Sequence, residues 1–275
     1  MRPNDEVLRI ENIGYRYHGA ERPALNGVSV TVRRGERVAV LGSNGAGKST
    51  FFLCCNGVLR PQSGRILLNG NAVGKTKREV YALRQAIGLV FQDPDNQIIA
   101  GTVESEIAFG PMNLKLPGDE VDSRVDSAIS RLNLEQYRTS APHYLSGGEK
   151  KRVAIADILA MEPQVILFDE PTASLDPLNV AAFERTLEEL SNSGIAIVIS
   201  THDVDFAYRA TDRAVVFANG AITADTSVES VFGDAAVLAA AGLRKPLLFE
   251  AAEILGLAVR PRTIEQLRRA SLGES

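Results

Sequence analysis

One glycine-rich stretch carries the pattern most able to do chemistry in this chain of 275 residues. It comprises Gly42, Ser43, Asn44, Gly45, Ala46, Gly47, Lys48, Ser49 and Thr50. An apolar run at 37–41 precedes it and predicts a buried strand, and the apolar residues at 51–53 predict the start of a helix. In that context the glycines let backbone N–H groups point at phosphate oxygens, while the helix adds the positive end of its dipole. We therefore predict a phosphate-binding loop, and a glycine-rich turn without a ligand is the much weaker interpretation.

Two residues near the end of this loop, Lys48 and Ser49, add a positive charge and a metal ligand. Lys48 supplies a mobile positive charge for β and γ phosphates, and the Ser49 hydroxyl is placed to ligate Mg²⁺. The predicted ligand is thus a nucleoside triphosphate with its magnesium ion.

Two acidic residues follow another apolar strand, predicted at 165–168. Four consecutive apolar residues indicate a strand covered on both faces, as in a parallel sheet. Ligands of open α/β sheets bind at the carboxyl ends of the strands. Asp169 is therefore predicted to hold Mg²⁺, directly or through a water, and Glu170 to polarise the attacking water. A solvated turn is the weaker interpretation.

Polar residues also end two further apolar strands, predicted at 87–91 and 196–199. Gln92 follows the first, where its amide oxygen can reach a metal ion or the attacking water. His202 follows the second and can donate to a terminal phosphate, although a lone histidine is more often structural. Tyr15 and Tyr17 lie in a turn-like segment, and spacing alone does not decide whether either ring stacks on a base or packs on a sheet edge.

A second anion-binding helix start is predicted at Ser146, Gly147, Gly148 and Glu149. Ser146 is a good N-cap, the glycines leave backbone N–H groups bare, and an apolar helical face follows at 153, 155, 156 and 159. These residues alone do not exclude an ordinary capped helix.

Composition places the chain among ordinary globular proteins, with 45% hydrophobic residues and a net charge of −4. This charge gives no reason to expect binding to nucleic acid or to an anionic membrane. The adjacent Cys54 and Cys55 read as reduced core residues of a reducing compartment. The first five residues do not resemble a signal peptide, and no apolar stretch approaches the roughly 18 residues of a membrane span. We therefore expect an intracellular protein that reaches a membrane only through a partner.

The remaining patterns predict the layers around the site. Alternating residues between 7 and 32 indicate antiparallel strands, and apolar residues at 121, 125, 129 and 132 indicate an amphipathic helix. From about 227 we expect two or three small helices, broken at 244–246 and 260–262, with the basic residues of both breaks on solvated faces. The predicted fold is α/β, with an antiparallel β subdomain, an α-helical subdomain at about 95–160, and a small C-terminal helical extension. Residues 1–226 would form the nucleotide-binding domain and 227–275 the extension.

Taken together, these motifs resemble an ABC-type ATPase subunit over about residues 5–225. The resemblance makes the loop at 42–50 the Walker A motif, 165–170 the Walker B motif with Glu170 as catalytic glutamate, 145–149 the signature motif, Gln92 the Q-loop glutamine, Ser174, Leu175 and Asp176 the D-loop, His202 the switch histidine and Tyr17 the adenine-stacking aromatic. It implies a P-loop NTPase (RecA-like) core, ATP and Mg²⁺ as ligands, and ATP hydrolysis as the activity.

Three further segments, at 91–97, 102–111 and 261–267, are similar to ATPases of energy-coupling factor importers, especially the cobalt and nickel branch. Vitamin-specific relatives share much of this pattern. Asp157 departs from it, because relatives usually carry a small residue there, and we expect altered local packing around it.

The resemblance also implies partners. Two ATPase chains, identical or paralogous, would form a head-to-tail dimer in which Ser146 and Gly147 of one copy reach the γ-phosphate bound by the other. An integral membrane subunit with a substrate-capture component would hold this pair at the cytoplasmic face of the membrane. We expect its helices to contact an apolar surface after the Q-loop, unless internal packing uses the residues concerned: Ile98, Ile99, Phe109, Met112 and Leu114.

Two other functions remain alternatives at this point. A soluble ABC ATPase acting on ribosomes or in DNA repair usually carries two cassettes or a long coiled coil, whereas this sequence has one cassette and no sustained heptad. A sensor that does not hydrolyse ATP is disfavoured by the presence of Glu170 and His202.

Overall fold

Two β-sheets form the framework of the computed structural model, which describes residues 5–173 and 175–272. The strands are β1 (Glu6–Tyr15), β2 (Leu25–Arg33), β3 (Arg37–Leu41), β4 (Ser63–Leu68), β5 (Asn71–Ala72), β6 (Ile87–Val90), β7 (Val165–Asp169), β8 (Ala196–Ser200), β9 (Arg213–Ala218) and β10 (Ala221–Ser227). One sheet has the order β2-β1-β4-β5 and the other β10-β9-β3-β8-β7-β6. The second sheet is parallel except for β10, which pairs antiparallel with β9.

The parallel sheet is covered on both faces, as its apolar runs predict. Along β7, Val165 and Leu167 pack in one core with the antiparallel sheet, whereas Ile166 and Phe168 pack in a second core with the helical region. Strand β8 alternates in the same way. Because the side chains of β8 and of β7 up to Phe168 are buried, chemistry is confined to the residues at the carboxyl ends of these strands.

The antiparallel sheet forms from the alternating segments between 7 and 32. Ile10 pairs with Val30 on β2 and with Ile66 on β4, so one face of this sheet contributes to the first core. The predicted antiparallel subdomain is confirmed.

Eleven helices surround the sheets within the part of the chain that is described. They are α1 (Lys48–Cys55), α2 (Lys77–Ala86), α3 (Val103–Asn113), α4 (Gly118–Arg131), α5 (Gly147–Ala160), α6 (Pro177–Asn192), α7 (Val204–Ala210), α8 (Val228–Gly233), α9 (Ala235–Ala241), α10 (Leu247–Ile254) and α11 (Ile264–Ser271). Helix α4 buries Val121, Val125 and Ile129, as the helical spacing predicts. None of these helices is both long and apolar enough to cross a bilayer.

The C-terminal region differs from the prediction in two ways. It contains four helices, α8 to α11, rather than two or three, because the stretch from 228 to 241 forms two short helices that meet at Asp234. The breaks fall where expected, but Arg262 is not on a solvated face. Its guanidinium donates to the carbonyl of Thr211, pairs with Asp212 and Glu229, and lies over the Tyr208 ring.

Both cysteines are buried in α1 and unbridged. Burial raises the pKa of the Cys54 thiol to about 12 and that of Cys55 well above its usual value. Both thiols therefore stay protonated and behave as small core residues, as predicted.

Candidate functional site

The phosphate loop joins β3 to α1, as its sequence context predicts. Gly42, Gly45 and Gly47 all have positive φ angles, of 143°, 79° and 110°. At Gly42 a Cβ atom would lie 2.3 Å from the carbonyl oxygen of Phe217, so the loop needs a residue without a side chain there. This geometry fits a cradle of backbone N–H groups for phosphate oxygens.

Lys48 is buried rather than free in solvent. Its ammonium donates to the carbonyl oxygens of Gly42 (2.8 Å) and Ser43 (3.2 Å) in the loop itself. The charge expected to be mobile is thus held at the loop, close to the position where it would meet phosphate oxygens.

A cleft of about 420 Å³ opens beside the loop and brings most of the predicted site residues together. Its lining comprises Tyr17, Ala24, Asn44, Gly45, Gly47, Lys48, Ser49, Thr50, Gln92, Asp169 and Glu170. Residues from the antiparallel sheet region, the phosphate loop and the ends of β6 and β7 therefore meet at one edge of the parallel sheet. Strand β6 ends at Val90 rather than at the predicted Phe91, which makes Gln92 part of the following loop.

The two acids hold different positions at the end of β7. Asp169 is the last residue of the strand and accepts a hydrogen bond from the Ser200 hydroxyl on β8. Glu170 has φ = 43° and donates its backbone N–H to the carbonyl of Ser200 at 3.0 Å. The chain therefore turns between the two carboxylates, with Asp169 at the end of the strand and Glu170 in the turn that follows it.

His202 contacts the candidate catalytic acid directly. Its Nδ1 lies 2.8 Å from Oε2 of Glu170, and its backbone N–H donates to the same oxygen at 3.2 Å. His202 also borders the outer side of the phosphate loop, together with Gly42, Ser43 and Asn44.

Tyr17 fits the aromatic position better than Tyr15. The Tyr17 ring is half exposed at the cleft, its hydroxyl lies 3.2 Å from Oγ1 of Thr50, and its edge-to-face contact with Tyr15 holds it there. Tyr15 packs against the first core instead. The ring of Tyr17 is therefore the one available to stack on a base.

The signature residues lie outside this cleft. Ser146 caps α5 by accepting the N–H of Glu149, while the Glu149 carboxylate accepts the N–H of Ser146 at 2.7 Å. A hydrogen bond from the Tyr137 hydroxyl, followed by those from Ser146, lowers the pKa of Glu149. None of Ser146, Gly147, Gly148 or Glu149 is among the described residues that line the cleft.

Asp176 lies beside the signature helix rather than in the cleft. It caps α6, and hydrogen bonds from Asn179 and Leu178 lower its pKa. Asn179 connects it to the signature, because a Cβ on Gly148 would lie 2.5 Å from the Asn179 amide oxygen. The D-loop residue Ser174 lies outside the described residues.

The sequence motifs did not identify two residues that contact the site, Ser200 and Lys151. Ser200 fixes Asp169, and nothing in its strand pattern marks it. Lys151 donates to the carbonyls of Phe91 and Gln92 from α5. A signal existed for Lys151, because it lies four residues before Ile155 and eight before Leu159, on the apolar stripe of that helix.

Comparison with known proteins decides the family. The profile of the ABC transporter family matches residues 25–173. The ATP-binding protein EcfA of an energy-coupling factor transporter from Methanothermobacter thermautotrophicus is 45% identical over 240 residues, covering 87% of this chain and 77% of the relative. Its namesake from Methanocaldococcus jannaschii is 43% identical and covers 90% and 89%. The chain belongs to the ABC transporter family.

Solved structures agree with this assignment. CbiO1 of Clostridium perfringens, described as part of the ABC transporter complex cbiONQ, has a TM-score of 0.77 at 42% identity, covering 86% of this chain and 94% of that one. An ATP-binding cassette solved as a dimer with ADP and phosphate after hydrolysis has a TM-score of 0.71 at 28% identity, covering 80% and 98%.

The family membership confirms several predictions made from the motifs. This ABC ATPase has the P-loop NTPase fold, binds ATP with Mg²⁺, hydrolyses ATP and is the ATPase subunit of an energy-coupling factor type transporter. The oxygen ligands fit the metal, since Ser200 engages one carboxylate oxygen of Asp169 and leaves the second for Mg²⁺.

Proposed function

We propose that this ATPase powers an energy-coupling factor importer for cobalt or nickel ions, through closure of a head-to-tail ATPase dimer on ATP. The observation that carries the dimer is the separation of two sets of residues. The phosphate loop, Gln92, Asp169 and Glu170 share one cleft, whereas the start of α5 lies outside it. A second copy, identical or paralogous, supplies Ser146 and Gly147 to the γ-phosphate. Two ATP molecules then join the two chains.

Each residue of the cleft has a definable task in this proposal. Lys48 and the loop N–H groups hold the β and γ phosphates, and Tyr17 stacks on adenine. Ser49, Gln92 and Asp169 would hold Mg²⁺, which neutralises phosphate charge when bound. Glu170 takes a proton from the attacking water, and the contact with His202 keeps its carboxylate in place.

An exposed apolar surface on the helical region suits a membrane partner. Ile99, Phe109 and Met112 are 71%, 49% and 64% exposed and lie on α3 or just before it. Ile98 and Leu114, which the sequence also assigned to this surface, are partly buried instead. We propose that the three exposed residues receive helices of the membrane subunit and hold this chain at the cytoplasmic face of the membrane.

The cargo proposal rests on likeness to a transporter component and on local sequence. CbiO1 is described as part of the cbiONQ complex, and the segments at 91–97 and 102–111 resemble the cobalt and nickel branch. A vitamin importer of the same type is the competing assignment, since a membrane-embedded capture component would choose the cargo. We further propose that residues 1–226 form the nucleotide-binding domain and residues 227–275 its C-terminal helical extension, which shares a hydrophobic core with β3, α7 and β9 of that domain.

Purification of the chain from membranes in mild detergent tests the function. We expect an integral membrane subunit and a small capture component to copurify, and ATP-dependent uptake of Co²⁺ or Ni²⁺ by cells carrying the set. Cells with Glu170→Gln serve as the control without uptake. Uptake of a vitamin instead of metal would overturn the cargo, and recovery of ribosomes or DNA alone would overturn transport.

Crosslinking tests the docking surface. Met112→Cys is expected to crosslink to the membrane subunit, while Glu265→Cys, at an exposed position of α11, is not. Crosslinks from position 265 alone would contradict this surface. The native Cys54 and Cys55 are buried and do not interfere.

A further inference from the structure

A buried lysine links the Q-loop to the signature helix. Lys151 is only 2% exposed, and its ammonium donates to the carbonyl oxygens of Phe91 (3.1 Å) and Gln92 (2.8 Å). These two carbonyls belong to the peptide units on either side of the Gln92 Cα. The lysine therefore restrains the backbone from which the Gln92 side chain projects.

Burial of this ammonium is costly and needs compensation. Desolvation lowers the pKa of Lys151 to about 8, while the negative charges of Asp93 and Asp169 act in the opposite direction. A methionine or leucine would fill the same volume in an apolar helix face without this cost. A lysine at this position therefore lowers the free energy of unfolding relative to an apolar residue, while it provides two hydrogen bonds to the Q-loop.

Other contacts tie the same segment to α5 but do not reach Gln92. Lys150 pairs with Asp95 at 2.7 Å, and the Gln97 amide donates to the carbonyl of Ala154 at 3.0 Å. These bonds hold the part of the loop that follows Gln92. The side-chain oxygen of Gln97 also accepts the N–H of Phe91 at 3.2 Å. Lys151 alone among these groups bonds the carbonyl of Gln92.

We propose that Lys151 is a positioning residue for ATP hydrolysis, which holds Gln92 at the metal and water position and connects it to the helix that begins at Ser146. This inference rests on the proposed roles of Gln92 and Ser146. Because Gln92 serves the ATP of its own chain and Ser146 that of the partner, a shift of α5 at one ATP site is transmitted through Lys151 to the other. The contact is therefore a direct link between two active sites.

A double-mutant cycle with Gln92 tests this role. Lys151→Met keeps the volume of the side chain and removes its donors. We expect kcat to fall about 10- to 100-fold, the usual effect of a misplaced active-site group, with a higher Mg²⁺ concentration at half-maximal rate. Metal-free binding of a fluorescent ATP analogue should change less than about twofold, since the phosphate loop is untouched. Lys151→Gln, which retains two donors, should recover part of the rate.

The decisive comparison is the rate of Lys151→Met in the Gln92→Ala background. If Lys151 acts through Gln92, the second substitution adds almost nothing to the loss caused by the first. Lys150→Met is the matched control, with a change below about threefold, because its partner Asp95 is solvent-exposed.

The possible outcomes distinguish the positioning role of Lys151 from the proposed role of Gln92. Multiplicative losses in the double variant, or a normal rate for Lys151→Met beside a slow Gln92→Ala, overturn the positioning role alone. Normal rates for both single variants overturn the role of Gln92 as well. Should Lys151→Met fail to fold, the same cycle is run with Lys151→Gln, where additive free-energy losses again contradict the proposal.

Discussion

Both hydrogen bonds from His202 to Glu170 end on a single carboxylate oxygen, Oε2. The glutamate is 13% exposed at its side chain, whereas the histidine ring is 68% exposed. His202 thus shields one oxygen of Glu170 and fixes the rotation of the carboxylate, so that the other oxygen remains for the water. A general base held in this way needs no rearrangement before proton transfer.

Glu170→Gln should separate ATP binding from hydrolysis. Because the amide keeps the shape of the side chain but is not a base, we expect turnover to fall about 10²- to 10⁴-fold with ATP binding retained. ATP-loaded dimers should accumulate, as measured by light scattering after gel filtration. A variant that binds ATP and stays monomeric would contradict the head-to-tail arrangement.

Tyr17 should contribute to ATP affinity through its ring rather than its hydroxyl. Tyr17→Ala is expected to raise the KM for ATP by about 5- to 160-fold, corresponding to loss of about 1–3 kcal/mol of stacking. Tyr17→Phe loses only the contact with Thr50 and should stay within about threefold of the native KM. Equal KM values for the two variants would assign the effect to the hydroxyl.

Gly42 and Gly45 should respond differently to alanine. Both have positive φ, but a Cβ at Gly42 meets the Phe217 carbonyl, whereas nothing lies within 4 Å of one at Gly45. We expect Gly45→Ala to cost about 1–2 kcal/mol from backbone strain. Gly42→Ala should cost several kcal/mol, because the backbone must also move. Thermal unfolding without nucleotide measures both, and equal shifts in Tm would refute the steric argument.

Asp157 should make stability depend on pH. Burial, together with the negative charge of Glu106, raises the pKa of its carboxyl to about 7 from an ordinary value near 3.8. The folded state therefore keeps a proton that the unfolded chain has lost, and the contribution of Asp157 to stability falls as pH rises from about 4 to about 7.

Asp157→Asn removes this titration and retains an acceptor for the Gln97 amide. The gain in unfolding free energy of this variant over the native chain should grow between pH 4 and pH 7 and then level off. Urea unfolding at pH 5, 6, 7 and 8 measures the difference. A gain that is constant over this range would show that Asp157 does not titrate there.

Arg262 should hold the last helix to the rest of the chain. Its side chain is partly buried among Thr211, Asp212 and Glu229, so Arg262→Ala removes the donor to the carbonyl of the buried Thr211 and the ion pairs with the more exposed Asp212 and Glu229. We expect a loss of about 1–3 kcal/mol and faster amide exchange in α11. Arg269→Ala removes an exposed pair with Glu265 and should change stability by less than about 0.5 kcal/mol. Similar exchange in both variants would mean that α11 is held by other contacts.

The sequence predicted those parts of the site that depend on a strand's carboxyl end. The runs before Gly42, Asp169 and His202 are uniformly apolar, which requires a parallel sheet covered on both faces, and in such a sheet the following residues meet at one edge. The position of Gln92 at the same edge of the sheet follows from the same rule. Family likeness suggested what the geometry of one chain does not show, namely the proposed pairing of Ser146 with a second copy.

Long-range polar contacts were the part that could not be predicted. Arg262 appeared to belong to an exposed basic break, because sequence spacing does not reveal that Glu229 and Asp212 approach it in the folded chain. The split of the expected helix at Asp234 depends on a single side-chain cap, whose energy of about 1 kcal/mol is invisible to periodicity. Lys151 was overlooked because a lysine on the apolar face of a helix normally extends its ammonium to the solvent at the edge of that face. Here the ammonium is buried instead.

The left-handed backbone at Glu170 sets folding and activity against each other at one position. Glycine, asparagine and aspartate adopt φ near 43° more readily than glutamate does. In a library of all substitutions at 170, selection for thermal resistance would therefore enrich Glu170→Gly and Glu170→Asn, which cannot activate water, while selection for transport would return glutamate. Thermostable variants of this ATPase chosen without an activity screen would accumulate there as catalytically dead proteins.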